Sequence, residues 1–314
     1  MWRNEYTKIV NDMIQDTPGT VFYLDPTNGS DGNQGTKRNP MKTFPNAYAF
    51  TQTGHNDVIR LIGGASGVSL AAALALPNNM THIVGLGGSP RMNKRARIGM
   101  STAFTPMITL SGYGCLIKDI YTMHGTLTGQ TAVTAANDLV GWSIAGARNE
   151  FDNVHFGGPM EGTVQSVVAG YIGVDVVGDG NTFKNCVFGT DTIQRTLANC
   201  NVQLEAGTLT IFEDCIFLMN TTDGLQYFIN IQNTSGYTWC IMKRCIFLCM
   251  EPNVAVACAV GINVAGGSTC YILMDPETQF YNTTAIVAAG KNALWQPKLF
   301  VTTSAPGNLA AKLA

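Results

Sequence analysis

Apolar and polar residues alternate in short runs along this chain, and the runs recur at a step of about thirty residues. Five segments align: CLIKDIYT from Cys115, NEFDNVHF from Asn149, NTFKNCVF from Asn181, TIFEDCIF from Thr210 and CIMKRCIF from Cys240. Their third positions are Ile117, Phe151, Phe183, Phe212 and Met242, separated by 34, 32, 29 and 30 residues. A second short run precedes each of them: Ile108–Leu110, Trp142–Ile144, Val174–Val176, Val202–Leu204 and Ile229–Ile231, with Ile262–Val264 adding a sixth. Period two predicts strands, and a repeat near thirty predicts a solenoid. A helical solenoid needs apolar residues at i, i+3 and i+4, which these units lack. The pattern therefore predicts an all-β protein: a single-stranded right-handed parallel β-helix of roughly seven coils over residues 21–285. A short amphipathic helix in 1–20 and a tail in 286–314 flank it.

Stacked strands lie ~4.8 Å apart, so equivalent residues of successive coils touch. After the bend in each unit, Ile120, Val154, Cys186, Cys215 and Cys245 form one inward column, and Thr122, Phe156, Phe188, Phe217 and Phe247 the next. At the bend stand Asp119, Asn153, Asn185, Asp214 and Arg244. Asn and Asp tolerate the left-handed conformation that such a bend requires. Lys118, Asp152, Lys184, Glu213 and Lys243 form an outward column of alternating sign. Each neighbouring pair is then attractive by ~0.2–1 kcal/mol. Stacking accounts for these charges without catalysis.

Charged residues make up only 13% of the 314 residues, and 34 glycines are present, which favours sheet and turns. The net charge of −2 offers no field for nucleic acid or an anionic membrane surface. The basic stretch RMNKRAR at 91–97 has no interleaved aromatics and reads as a solvated loop. Uncharged runs are broken by Gly, Pro and Asn, so no membrane span is expected. Arg3, Glu5, Lys8 and Asp12 argue against a secretory leader, and nine cysteines then read as reduced thiols of a cytoplasmic product.

With the repeat established, one further stretch gains meaning. YLDPTNGSDGNQGTKRNPMKTFPNAYAF, 23–50, resembles the entry segment of the pectate-lyase-like right-handed β-helix superfamily. The resemblance rests on Asp25, Gly29, Asp31, Gly35-Thr36, Pro40 and Lys42-Thr43, followed by HNDVIRLIGG at 55–64. It implies a short helix near Phe44–Gln52 that caps the solenoid. Members of that superfamily include polysaccharide lyases, hydrolases, adhesins and phage spike and decoration proteins. Asp25, Asn28, Asp31 and Asn33 are oxygen donors and the candidate calcium ligands, but their spacing does not fit the EF-hand pattern. A structural loop is the preferred reading.

Enzymes of this superfamily use clustered carboxylates. Asp175 and Glu205 fall near equivalent positions of consecutive coils and are the candidate catalytic pair. The four histidines show no metal spacing, and no cofactor is implied. The expectation is a non-enzymatic virion structural protein of a tailed bacteriophage, a capsid decoration or head-spike homotrimer assembled in the host bacterial cytoplasm. A glycan-directed phage tailspike or receptor-binding protein is the alternative, and a bacterial polysaccharide lyase or glycoside hydrolase comes third. Trp2, Tyr6, Ile9 and Met13 recur at helical steps and are expected to anchor the chain to its own copies or to the major capsid or another virion protein.

Overall fold

The structure, a computed structural model, describes residues 19–64, 66–87, 95–101, 104–124, 139–159, 169–233, 236–250, 257–266 and 268–287. The stripe Trp2, Tyr6, Ile9 and Met13 lies outside them, as does the tail beyond residue 287. Strands so short cannot bury their apolar faces as hairpins. Here the chain instead winds through three faces, and each strand pairs with its counterpart one coil away. One face runs from Val21–Leu24 through Val58–Ile62 to Thr269–Met274, the second from Val68–Leu70 to Gln279–Tyr281, and the third from Leu74–Leu76 to Thr283–Val287. Among the described residues the three faces stack nine, nine and eight strands.

Pairing is parallel and in register, so like residues meet: Phe151 faces Ile117 and Phe183, and Phe212 faces Phe183 and Met242. The core consists of these columns. Phe156, Phe188, Phe217, Phe247 and Phe280 stack with centroid separations of 5.0, 4.7, 4.3 and 4.2 Å. Those distances are close to the strand spacing, so ring stacking and backbone pairing satisfy the same repeat. Cys186, Cys215 and Cys245 are fully buried beside them. Each thiol donates to a carbonyl of the preceding coil, that of Phe151, Phe183 or Phe212.

The bend column is left-handed throughout, with φ of 56, 55, 54, 54 and 51° at Asp119, Asn153, Asn185, Asp214 and Arg244. Its side chains bond along the stack: Asn153 Nδ2 donates to Asp119 Oδ1 at 2.6 Å and Asn185 Nδ2 to Asp152 Oδ1 at 2.9 Å. The charge column has the expected register, but its ion pairs are redistributed. Buried Lys118 bonds Asp152, whereas Lys184 Nζ reaches Glu150 at 2.8 Å. Glu213 accepts from Arg244, whose guanidinium also grips Asp214. Asp152 is engaged by Lys118 and Asn185, which leaves Glu150 as the accessible partner for Lys184. The fork of Arg244 outcompetes Lys243 for Glu213 because it binds two carboxylates at once.

The cap is a helix of six residues, Phe44–Ala49, shorter than the expected Phe44–Gln52. It buries Phe44, Ala47 and Tyr48 on the end of the solenoid. Thr51 Oγ1 closes the last turn on Tyr48 O, and the Gln52 amide turns away to Asp57. Asp57, 1% exposed, joins three segments. Its carboxylate accepts from the Thr20 amide, the Gln52 amide and His55 Nδ1, each at 2.7 Å.

Candidate functional site

On the third face, the inward residues of successive strands are Val174 and Val176, Val202 and Leu204, Ile229 and Ile231, then Ile262 and Val264. Alternation turns the residue between each pair outward. Those residues are Asp175, Gln203, Asn230 and Asn263, in register. Gln203 Nε2 donates to Asp175 Oδ1 at 3.4 Å, Asn230 Nδ2 to Gln203 Oε1 at 3.2 Å, and Asn263 Nδ2 to Asn230 Oδ1 at 2.8 Å. Gln203 and Asn230 each accept from the coil after and donate to the coil before, and Asn263 donates into the line, so it runs polarised toward one carboxylate. Asp175, Gln203 and Asn230 are only 9, 8 and 8% exposed.

Glu205 is not the counterpart of Asp175 that the sequence suggests. Gln203 holds that register position, and Glu205 lies exposed just past the strand Cys200–Leu204. The two carboxyls still interact. Burial, and then the neighbouring charge of Glu205, push Asp175 up to about 7. Asp175 can therefore carry a proton near neutral pH, which is what a general acid needs.

The two carboxylates of the entry loop accept hydrogen bonds from the loop and from the segment leading into the cap. Asp25 accepts from the amides of Thr27 and Asn28 and from Asn28 Nδ2. Asp31 accepts from the amides of Lys42 and Thr43 and from the Thr43 hydroxyl, and Asn33 Nδ2 donates to Pro40 O. Partial burial tends to raise both carboxyls, but these donors outweigh it and hold them below the ordinary range. The four candidate calcium ligands thus fold the loop against the segment leading into the cap. No group of three or more His, Cys, Asp and Glu is gathered as for a metal ion among the described residues.

No protein-family model matches the sequence, and no curated protein matches it. Solved structures do. A pectin methylesterase in complex with a hexasaccharide is similar at 12% identity and a TM-score of 0.51, over 89% of this chain and 93% of that one. Pectin methylesterase PemA from Erwinia chrysanthemi is similar at 12% identity and a TM-score of 0.50, over 87% and 92%. An Acinetobacter phage tailspike protein is a looser likeness, at 14% identity and a TM-score of 0.32, over 82% and 59%. This chain has the parallel β-helix fold of those pectin methylesterases. At such identities the likeness is one of fold.

Within the β-helix, sequence reasoning finds Asp175 but misses the amides bonded to it. The signal was present: Val-Asp-Val, Val-Gln-Leu, Ile-Asn-Ile and Ile-Asn-Val recur one coil apart, each with its polar residue at the centre. A polar residue between two apolar ones reads as solvent-facing, and only the coordinates show that these bond to one another. Among the described residues, no helix of the β-helix is long and apolar enough to cross a membrane.

Proposed function

We propose that this chain is a structural protein of a virion, a β-helix shaft of the spike or decoration type that does not cleave glycans. The observation that carries this reading is the use made of ionisable side chains. Lys118, Asp152, Glu150, Lys184, Glu213, Asp214 and Arg244 bond from coil to coil along the stack. Charges committed to neighbouring coils rigidify a shaft and are not available to a substrate. The stripe Trp2, Tyr6, Ile9 and Met13 serves in this reading as the anchor that joins three copies and a virion surface.

The test is incorporation. Purified phage particles labelled with an antibody to this chain should carry it on the head, and a chain lacking residues 1–15 should fold but be missing from them. Particles without the full-length chain would overturn the reading, and labelling confined to the tail tip would replace decoration with receptor binding.

The raised Asp175 favours one second reading, a glycan-cleaving spike with Asp175 as acid and Glu205 as its partner. Reducing or unsaturated sugar ends released from host polysaccharide, and lost in Asp175→Asn, would establish it.

A further inference from the structure

The core ends on a layer made by Cys270, Ile272, Met274, Phe280 and Ile286. Among the described residues no strand follows it: Thr269–Met274, Gln279–Tyr281 and Thr283–Val287 are the last of the three faces. Phe280 is the final ring of its column, stacked on Phe247 at 4.2 Å with the planes 2° apart. A layer facing water would leave its far side open. Ile272 is nevertheless 0% and Phe280 only 9% exposed. The apolar end of a solenoid needs a cap, and this end is covered.

Register points to the segment that covers it. Val287 pairs with Ile262, and the first-face strand Thr269–Met274 begins seven residues after Ile262. The same interval counted from Val287 reaches Leu294. Trp295, Pro297 and Leu299 then fall opposite the inward residues Cys270, Ile272 and Met274. Gln296 and Lys298 fall opposite Tyr271 and Leu273, which point outward. Apolar and polar positions thus match the first face in phase, and a slip of one residue would reverse them all.

Pro297 suits that place for a further reason. On the first face the amides of outward residues donate to the coil before, as Glu150 does to Cys115 O, Thr182 to Asn149 O and Trp239 to Thr208 O. Alternation directs the amides of inward residues to the coil after. Pro297, at an inward position, therefore gives up no bond to the strand Thr269–Met274. The donor it lacks belongs to the free edge, where proline is tolerated and hinders further pairing.

The N-terminal segment is the other candidate, and it does not reach. Eight strand spacings, about 38 Å, separate Val21–Leu24 from Thr269–Met274, whereas a helix over residues 1–20 spans only about 30 Å.

We propose that residues 294–299 close the solenoid as a last first-face strand, with Trp295 and Leu299 lying on Cys270 and Met274 and Pro297 blunting the edge. The partner this end would otherwise take is a second copy of the chain, because unpaired strand edges around an apolar layer invite end-to-end joining. The tail occupies that surface and keeps copies apart. This inference does not depend on the virion reading.

The experiment places a photoreactive benzophenone at the seat, as Tyr271→p-benzoylphenylalanine, in full-length chains mixed from unlabelled and isotope-labelled preparations. Cross-links should fall in the tryptic peptide 292–298 of the same chain. The same photoreactive residue at Leu209, two coils earlier in that column, should give none there. Cross-links that join light to heavy chains would seat a second copy on this end and overturn the proposal. The absence of cross-links to 292–298 would overturn it as well. Pro297→Val returns the missing donor, so its mass by light scattering should rise with concentration above that of wild type. A mass equal to wild type at every concentration would refute the blunting of the edge.

Discussion

Phe247 lies 4.3 Å from Phe217, ring centroid to ring centroid, with the two planes 11° apart. Phe217 has Phe188 on its other side at 4.7 Å, so both ring faces are covered by phenylalanine. Replacing Phe217 with Ala removes the middle of that stack and leaves a cavity that neighbouring rings cannot fill without breaking strand pairing. We expect a loss of ~3–5 kcal/mol, read from urea unfolding. A change below ~1 kcal/mol would show that the column adjusts and does not hold the core.

All nine cysteines are buried thiols outside any disulfide. Burial pushes the thiols of Cys200 and Cys258 up to about 12 and raises that of Cys240 as well. Thiolate is the reactive form, so native protein at pH 8 should react with an aromatic disulfide reagent over hours and denatured protein within seconds, giving nine thiols per chain. Rapid native labelling of Cys186, Cys215 or Cys245, located by mass spectrometry, would contradict the inward column.

Asp57 and Asp175 should move stability in opposite directions with pH. Burial raises Asp57, but hydrogen bonds from His55, Thr20 and Gln52 outweigh it, so its folded pKa lies below the ordinary value of 3.8. A depressed carboxyl stabilises above its unfolded pKa and loses that contribution as pH falls through the folded value. Asp57→Asn should therefore cost on the order of 2–3 kcal/mol at pH 7 and less at a pH below its lowered folded value. An equal cost at both pH values would mean that hydrogen-bond geometry, not charge, carries the effect.

For Asp175 the sign reverses. Its folded pKa of about 7 lies above the ordinary 3.8, so the folded chain holds the extra proton between those values. Stability from this group is complete below pH 4 and declines as pH rises through 7. Asp175→Asn should raise the unfolding midpoint at pH 8 and leave it unchanged near pH 4. The same substitution in a chain lacking Glu205 should help less, because part of the penalty is the neighbouring charge.

The fold was legible because identical environments recur. Phe183 and Phe212 occupy one column, as do Cys186 and Cys215, and a repeat of about thirty exposes both. Arg244 could be placed at a left-handed bend only because Asn185 and Asp214 stand at the same place in other coils. Phe280 extends the ring column, yet its segment Gln279–Tyr281 lacks the flanking pattern that marks the others. The candidate site was less legible, since neighbours across coils set it. Asp175 meets Gln203 by register, whereas Glu205, which also acts on it, lies past the end of the strand Cys200–Leu204.

The outward column of Lys118, Asp152, Lys184, Glu213 and Lys243 also restricts how such a chain can change length. Excising the single coil that carries Glu213 would set Phe183 on Met242, Cys186 on Cys245 and Phe188 on Phe247, and the interior would close. Lys184 would then face Lys243, and like charges directly opposite one another repel. Excising that coil together with the one carrying Lys184 would set Asp152 on Lys243 and restore attraction. The interior accepts any whole number of coils, whereas the exterior favours gain or loss in pairs.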